Sequence, residues 1–208
     1  VGIENLSTCI ILLAISFIMI FVATPLFVPF AVIGLIGVAG AGGLLLTQGY
    51  RMERITVWLD PAASEKGHQT IQGLYAIGSG GLFGKGLGQS MQKLGFLPEA
   101  NNDMIFSVIC EELGLFGALC VLALFFALIW RFMVIAVNAP DLYGSMIVVG
   151  VIAHIGIQVF INIAVATNTI PNTGIPLPFI SYGGSSLVFM LLEMGLVLSV
   201  SRYINVKK

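Results

Sequence analysis

The chain has 208 residues, of which 58% are hydrophobic and 9% are charged, and its formal net charge is −1. Soluble domains carry about 25% charged residues, so this composition excludes an ordinary soluble protein and predicts an integral membrane protein. Neither basic runs nor acidic tails are present, which argues against a nucleic-acid partner. The three cysteines form no C-x-x-C pair, which argues against a disulfide frame or a cysteine metal site.

Five segments are apolar enough to cross a bilayer, which takes about 20 residues of helix. In chain order they are residues 6–23, 27–46, 104–130, 145–166 and 185–203. We therefore predict an all-α polytopic membrane protein in which residues 1–208 form a single membrane domain. The first apolar segment follows the start of the chain almost at once, without a signal-peptide pattern. We expect the chain to be the C-terminal portion of a longer protein.

Two long polar connections, residues 48–103 and 167–184, lie by parity on one face of the membrane. An excess of lysine and arginine marks the cytoplasmic face most strongly in short loops. On the opposite face lie Arg131, Lys207 and Lys208, so we predict that both long connections are extracytoplasmic. Within the first of them, residues 70–77 are predicted to form a short helix.

A glycine-rich run occupies residues 78–88. It does not fit the phosphate-binding loop G-x-x-x-x-G-K-[ST], because Ser79 stands where the first glycine is needed and Gly86 replaces the hydroxyl residue. We interpret these glycines as tight turns with positive φ. Nearby, Lys85 and Lys93 are suited either to a lipid-linked phosphate or to anchoring at the membrane surface.

The acids at the start of the third span allow two interpretations. Asp103 follows Pro98 and two asparagines, a pattern typical of a helix start, so capping or first-turn stabilisation is the simpler one. The functional alternative is a carboxylate at the mouth of a membrane cavity, serving as a general base or cation ligand. Glu99 lies one helical turn earlier and would then act with it.

Six further polar residues lie inside predicted spans. Glu111 and Glu112 point in different directions around a helix, and because a charge inside a span is costly, at least one should be functional or ion-paired. In the fourth span, residues 154, 158 and 162 share a face and suit interhelical hydrogen bonds. We also predict a contact between His154 and Glu193, which fall at similar depths in antiparallel neighbours.

The last connection contains the sequence IPNTGIPLPFISYGGSSL, whose prolines and glycines predict an irregular backbone. It lies on the same side as the long loop. A site shared by the two connections is one hypothesis, and a simple link between spans is the alternative.

The chain contains, in this order, the stretches AIGSGGLFGKGLGQS, LPEANNDMIF, EELGLFGA and NTGIPLPFISYGGSS. These resemble the C-terminal half of the SEDS family, which comprises FtsW, RodA and SpoVE. The sequences of the four stretches are most similar to the FtsW/SpoVE branch. The resemblance extends from Asn5 to Arg202. This chain has Asn101-Asn102 where the family often has His-Thr, and His68 where the family commonly has tyrosine. Neither difference removes the family's aspartate.

The resemblance implies a ten-span enzyme of the bacterial cytoplasmic membrane, of which the last five spans are present. Such enzymes polymerise lipid II, a polyprenyl pyrophosphate-linked disaccharide peptide, into glycan strands for division, elongation or sporulation. They act with a class B penicillin-binding protein and other divisome or elongasome proteins. The family's essential aspartate falls on Asp103, and the long loop is expected to face outward.

Asp103 is thus the expected general base for peptidoglycan glycosyl transfer. Lys85, Lys93 or a divalent cation (Mg²⁺ or Mn²⁺) is expected to stabilise the pyrophosphate leaving group. The expected substrate-binding residues are Glu99, Lys85, Lys93, Glu111, Ser181, Tyr182, Gly183, Gly184 and Ser185. Two alternatives from other classes are a lipid II flippase and a non-catalytic scaffold that recruits the cross-linking partner.

Overall fold

The computed structural model describes residues 6–24, 32, 34, 49–64 and 67–204. Within these ranges the regular structure is entirely helical. The helices are α1 (Leu6–Ala23), α2 (Gly49–Leu59), α3 (His68–Gly80), α4 (Ile105–Val137), α5 (Leu142–Ala166) and α6 (Gly184–Arg202). Short 3-10 turns form at Pro61–Ala63 and Gln92–Leu94.

Three of these helices, α4, α5 and α6, are long and apolar enough to cross a membrane, and α1 is a shorter apolar helix. Large apolar side chains on them are exposed, for example Leu124 and Phe160 at 70% each, which suits surfaces that meet lipid. The chain is therefore an all-α polytopic membrane protein. The second predicted span, residues 27–46, lies outside the described residues apart from Val32 and Gly34.

The predicted helices can be compared with those observed. Helix α1 coincides with the first predicted span, and α5 and α6 begin three residues and one residue before the fourth and fifth. Helix α4 starts at Ile105, one residue after the predicted start, and continues to Val137, seven residues beyond the predicted end. The short helix expected at 70–77 is present as the longer α3.

The chain forms two compact units. One, here called the loop unit, comprises Gly49–Phe126 and Gln158–Leu187 and so includes both long polar connections. The other includes α1, residues 127–157 and the described residues from Val188 onward. In this second unit, His154 Nδ1 lies 2.8 Å from Glu193 Oε1, which confirms the predicted contact.

The core of the loop unit holds the segment before α4 in place. Met104 is 1% exposed and packs in a buried apolar cluster. The other members of this cluster are Leu97, Ala100, Val108 and Val165, from the loop, α4 and α5. Because apolar burial on both sides of Asp103 fixes the backbone there, the aspartate has a defined position at the entrance to α4.

The glycine-rich run pairs with a break in α4, where Gly114 has φ 68° and ψ −167°. A broken helix leaves backbone groups without their usual partners, and inside a membrane these must be satisfied by protein. Four backbone hydrogen bonds of 2.9–3.0 Å join the two segments, from the N–H groups of Lys85, Gly86, Leu115 and Phe116 to the carbonyls of Glu111, Glu112, Gly81 and Leu82. The loop therefore replaces the missing helical bonds.

The glycine conformations confirm the predicted turns, since Gly81, Gly84, Gly86 and Gly88 all have positive φ. They also permit a close approach that the sequence did not reveal. A Cβ on Gly84 would lie 2.2 Å from the carbonyl oxygen of Glu112. Glycine is thus required here both for conformation and for contact between two backbones.

We expect Gly114→Ala to destabilise the protein by about 3 kcal/mol, combining the strain of a positive φ with a steric clash. A Cβ at this position would lie 2.3 Å from the backbone nitrogen of Gly84. The measurement is thermal unfolding in detergent. Gly78→Ala is the matched control, because a Cβ on that α3 glycine meets nothing within 4 Å. Equal melting temperatures for the two variants would contradict the proposed close contact.

Candidate functional site

A cavity of about 480 Å³ opens beside Asp103 in the loop unit, and is called here the Asp103 cavity. It brings together residues from α2, α3, the segment before α4 and the final connection. The lining residues are Arg54, Val57, Trp58, Gln69, Thr70, Glu99, Asp103, Asn168, Asn172 and Gly174. The two connections thus line one cavity, and the hypothesis that they share a functional site stays a prediction.

The main chain of Asp103 is anchored from helix α5. Asn162, which is fully buried, donates one amide hydrogen bond to the carbonyl of Asp103 at 2.7 Å and another to the carbonyl of Ile175 at 2.8 Å. Asn162 was expected to make interhelical hydrogen bonds, and it instead bonds the two polar segments that α5 supports. Asp103 itself is 7% exposed.

The carboxyl group of Asp103 is held by a short hydrogen-bonded chain. Gln69 Nε2 donates to Asp103 Oδ1 at 3.5 Å, and Asn172 Nδ2 donates to Gln69 Oε1 at 2.9 Å. Burial raises the pKa of Asp103 above its ordinary value; the charge of Glu99 acts in the same direction, while the bond from Gln69 acts against it. A raised pKa makes this carboxylate a better proton acceptor.

Three hydrogen bonds join helix α2 to the final connection at one wall of the cavity. Trp58 Nε1 donates to the carbonyl of Asn168 at 2.9 Å, and Asn168 Nδ2 donates to the carbonyl of Trp58 at 3.4 Å. One turn earlier, Arg54 Nη1 donates to the carbonyl of Asn172 at 3.2 Å. These bonds place an indole and a guanidinium in the same cavity as the carboxylates.

Two residues of the cavity have strained backbones. Glu99 and Asn168 both have φ 53°, the left-handed region that side chains other than glycine seldom occupy. Such strain persists only where the surrounding structure imposes it, and it is concentrated at functional sites. Glu99 was predicted as a substrate-binding residue, and it shares the cavity with Asp103.

The final connection is also bonded to the segment before α4. Ser181 Oγ donates to the carbonyl of Asn102 at 2.6 Å and accepts from the N–H of Leu177 at 2.7 Å. The N–H of Tyr182 donates to the carbonyl of Asn101 at 2.8 Å. Residues 181–184 line a second cavity of about 440 Å³, separate from the Asp103 cavity. Ser185 lies in the first turn of α6.

The predicted lysines lie elsewhere in the loop unit. Lys85 Nζ is 2.7 Å from Glu111 Oε1, and Glu111 is fully buried. This carboxylate also accepts hydrogen bonds from the hydroxyls of Ser79 and Ser90 and the N–H groups of Met91 and Gln92. Neither residue lines the Asp103 cavity. The pair fastens the glycine-rich run to α4, and a role in substrate binding stays a prediction.

A second ion pair joins α4 to the 3-10 turn at Gln92–Leu94, with Lys93 Nζ 2.7 Å from Glu112 Oε1. Both acids of α4 are therefore ion-paired, which accords with the expectation that at least one would be. Consecutive residues of a helix point about 100° apart, and each of the two glutamates is paired with a different lysine. Lys93, like Lys85, is absent from the lining of the Asp103 cavity.

A divalent cation has a limited set of ligands here. In the described part of the chain, no group of three or more His, Cys, Asp or Glu side chains converges. Mg²⁺ is often bound by one or two carboxylates together with substrate phosphate oxygens. Glu99 and Asp103, which line one cavity, are the residues that fit this pattern.

Comparison with known proteins shows the family. The FtsW/RodA/SpoVE model, described as cell cycle protein, matches residues 1–206. The chain belongs to the FtsW/RodA/SpoVE family. It is 52% identical over 203 residues to stage V sporulation protein E of Bacillus subtilis (strain 168), covering 96% of this chain and 55% of that protein. It is 40% identical over 200 residues to a probable peptidoglycan glycosyltransferase FtsW of Geobacter sp. (strain M18), covering 95% and 54%.

Solved structures of the family have the same fold. A chain of a peptidoglycan synthase complex that coordinates polymerization and crosslinking aligns with a TM-score of 0.75 at 28% identity, over 98% of this chain and 57% of that one. The rod shape determining protein RodA of Thermus thermophilus aligns with a TM-score of 0.62 at 28% identity, over 97% and 52%. This chain spans about half the length of the FtsW, RodA and SpoVE relatives that it matches.

Sequence reasoning missed the polar residues that surround Asp103. Among them are Arg54 and Gln69, which belong to no motif that the sequence analysis singled out. The Arg54–Asn172 hydrogen bond joins residues 118 positions apart, so no local pattern could reveal it. For Asn162, the available signal was its spacing of four from Gln158 on one helical face.

Proposed function

We propose that the full-length protein to which this chain corresponds is a peptidoglycan glycosyltransferase that polymerises lipid II, with Asp103 as the general base. The observation that carries the proposal is a buried carboxyl with a raised pKa in a cavity at the entrance to a membrane-crossing helix. The naming of several relatives as probable peptidoglycan glycosyltransferases supports the reaction class.

In the proposed reaction, the 4-hydroxyl of one lipid-linked sugar attacks the anomeric carbon of another. A new carbon–oxygen bond forms as the hydroxyl proton passes to the Asp103 carboxylate. The bond between the anomeric carbon and the pyrophosphate breaks, and its electron pair leaves with the polyprenyl pyrophosphate. Because pyrophosphate is already a good leaving group, the residues here need to supply a base and a cation, and a separate general acid is dispensable.

The same proposal includes a location and partners. The protein acts in the bacterial cytoplasmic membrane with the Asp103 cavity facing outward, where lipid II is polymerised. A class B penicillin-binding protein then cross-links the strands, within a divisome, elongasome or sporulation assembly. The relative solved within a peptidoglycan synthase complex supports a cross-linking partner. If a Mg²⁺ or Mn²⁺ ion is bound, Glu99 would hold it together with substrate phosphate oxygens, and it would neutralise phosphate charge while Asp103 serves as the base.

The test is polymerisation of labelled lipid II by the purified full-length protein with its cross-linking partner. Glycan strands that require the wild-type protein would support the proposal. Transport of lipid II across vesicles without strand formation would support a flippase instead. Binding of the partner with neither activity would support a scaffold, and either of these two outcomes would overturn the polymerase proposal.

The pH dependence of polymerisation should follow the surroundings of Asp103. The carboxylate is the active form, so activity should fall as the pH drops through the raised pKa of Asp103. Glu99→Gln removes a negative charge that raises this pKa, and should therefore move the acidic limb of the kcat/KM profile to lower pH. Gln69→Leu removes a bond that lowers the pKa, and should move the limb to higher pH.

The check is a pair of full pH profiles measured beside wild type. Shifts in opposite directions would be difficult to produce by general damage to the fold, which lowers activity at every pH. Shifts in the same direction, or identical profiles for all three proteins, would mean that Asp103 does not set the acidic limb.

A further inference from the structure

Charge balance in the Asp103 cavity draws attention to Arg54. Of the described residues that line this cavity, Arg54 is the only one with a cationic side chain, whereas Glu99 and Asp103 are both acids. A lipid-linked pyrophosphate is itself anionic, and two carboxylates in the same cavity repel it. A cationic side chain at this place therefore favours binding of such a substrate.

The two lysines first considered for this role are committed elsewhere. Lys85 and Lys93 each lie 2.7 Å from a glutamate of α4, and both are absent from the lining of the cavity. Moving Lys85 to a phosphate would leave the fully buried Glu111 without its cation. The cost of that rearrangement favours a cation that already lies in the cavity.

Arg54 is linked to the Asp103 carboxyl through two intervening residues. Its Nη1 donates to the carbonyl of Asn172, whose side chain donates to Gln69, which in turn donates to Asp103. The guanidinium and the carboxylate are thus at opposite ends of one chain of hydrogen bonds. The bond to Asn172 uses one of the five N–H donors of a guanidinium.

We propose that Arg54 binds the pyrophosphate of the lipid-linked substrate in the Asp103 cavity. This role of Arg54 rests on the proposed function. The guanidinium would stabilise the negative charge that develops on the leaving pyrophosphate. Arginine suits the task because its planar fork bonds two phosphate oxygens at once, which the ammonium of lysine does not do. Asp103 accepts the proton at one end of the chain, and Arg54 holds the phosphate at the other.

The experiment measures binding of undecaprenyl pyrophosphate and of neutral undecaprenol to the full-length protein with its partner in detergent. Arg54→Gln should weaken binding of the pyrophosphate lipid by about 10- to 100-fold, the value of one or two charge-assisted hydrogen bonds. Binding of undecaprenol should be unchanged. Arg54→Lys keeps the charge and should recover part of the loss. Arg131→Gln, which removes an exposed arginine of α4, is the matched control and should behave as wild type.

The outcomes separate this assignment from the proposed function. Unchanged affinity of Arg54→Gln for the pyrophosphate lipid, in a protein that polymerises lipid II, would overturn the role of Arg54 alone. An equal loss of affinity for both lipids would also overturn it, because it would indicate a structural defect. A wild-type protein that neither binds the pyrophosphate lipid nor makes strands would remove both proposals together.

Discussion

Replacement of Asp103 by asparagine in the full-length protein is expected to lower the rate of glycan polymerisation by about 10²- to 10⁴-fold, the usual contribution of a general base. Asparagine has nearly the same shape and still accepts the hydrogen bond from Gln69, so the cavity should keep its form. The amide cannot take up the hydroxyl proton. Because Asp103 is 7% exposed, bulk water is poorly placed to replace it as the base.

The same variant distinguishes catalysis from helix capping, the simpler interpretation of Asp103. Asparagine and aspartate are about equally good N-caps, so a capping residue would tolerate the change with full activity. Asp103→Ala should be as inactive as Asp103→Asn, although it is a poorer cap. Strand synthesis, partner binding and melting temperature should be measured on all three proteins. Wild-type rates from Asp103→Asn would exclude this residue as the base.

Removal of the cation from the buried ion pair is expected to have a large effect on stability. Lys85→Met leaves the fully buried Glu111 carboxylate without a counter-ion, and breaking such a pair from one side typically costs about 3–5 kcal/mol. The side chain of Lys85 is 36% exposed, so solvent screens part of the interaction and the lower end is expected. Thermal unfolding in detergent measures the loss.

A double-mutant cycle provides the control for this prediction. Glu111→Gln added to Lys85→Met removes the unpaired charge and keeps one acceptor oxygen, which can face the Ser90 hydroxyl and the Gln92 N–H, so it should recover part of the lost stability. If Lys85 instead binds substrate, Lys85→Met will lose activity at an unchanged melting temperature. That result would contradict a structural role for the pair and restore the original assignment.

The helices of this protein were largely predictable because long apolar runs leave few alternatives in a membrane. The break in α4 at Gly114 was not predicted, since an isolated glycine inside a helical pattern is usually tolerated. The glycine-rich run forms the hydrogen bonds that the break requires, but its glycines indicated only turns and not the helix with which they pair. The run and Gly114 thus belong to one structural element, which becomes visible only in the folded protein.

Asp103 was predictable from the sequence, whereas most of the residues that surround it were not. Asp103 was identified by its position before a span and by the resemblance of its motif. The partners of Lys85 and Lys93 could not be read from the sequence, because helical periodicity gives the direction of Glu111 and Glu112 without the loop that faces them. The Lys85–Glu111 pair joins residues 26 positions apart. Arg54, Gln69 and Asn172 meet for the same reason, through tertiary packing.

Asn162 is hydrogen-bonded to both polar connections at once. The two hydrogens of its single amide nitrogen are divided between the carbonyls of Asp103 and Ile175. If the final connection moves away from α5, the bond from Asn162 to Ile175 breaks. The Asn162 amide, which also holds the carbonyl of Asp103, is then less constrained. Movement of the final connection away from α5 would therefore also loosen the bond that holds the main chain of Asp103. We expect a small molecule bound beneath the final connection to lower activity without competing with substrate for the cavity.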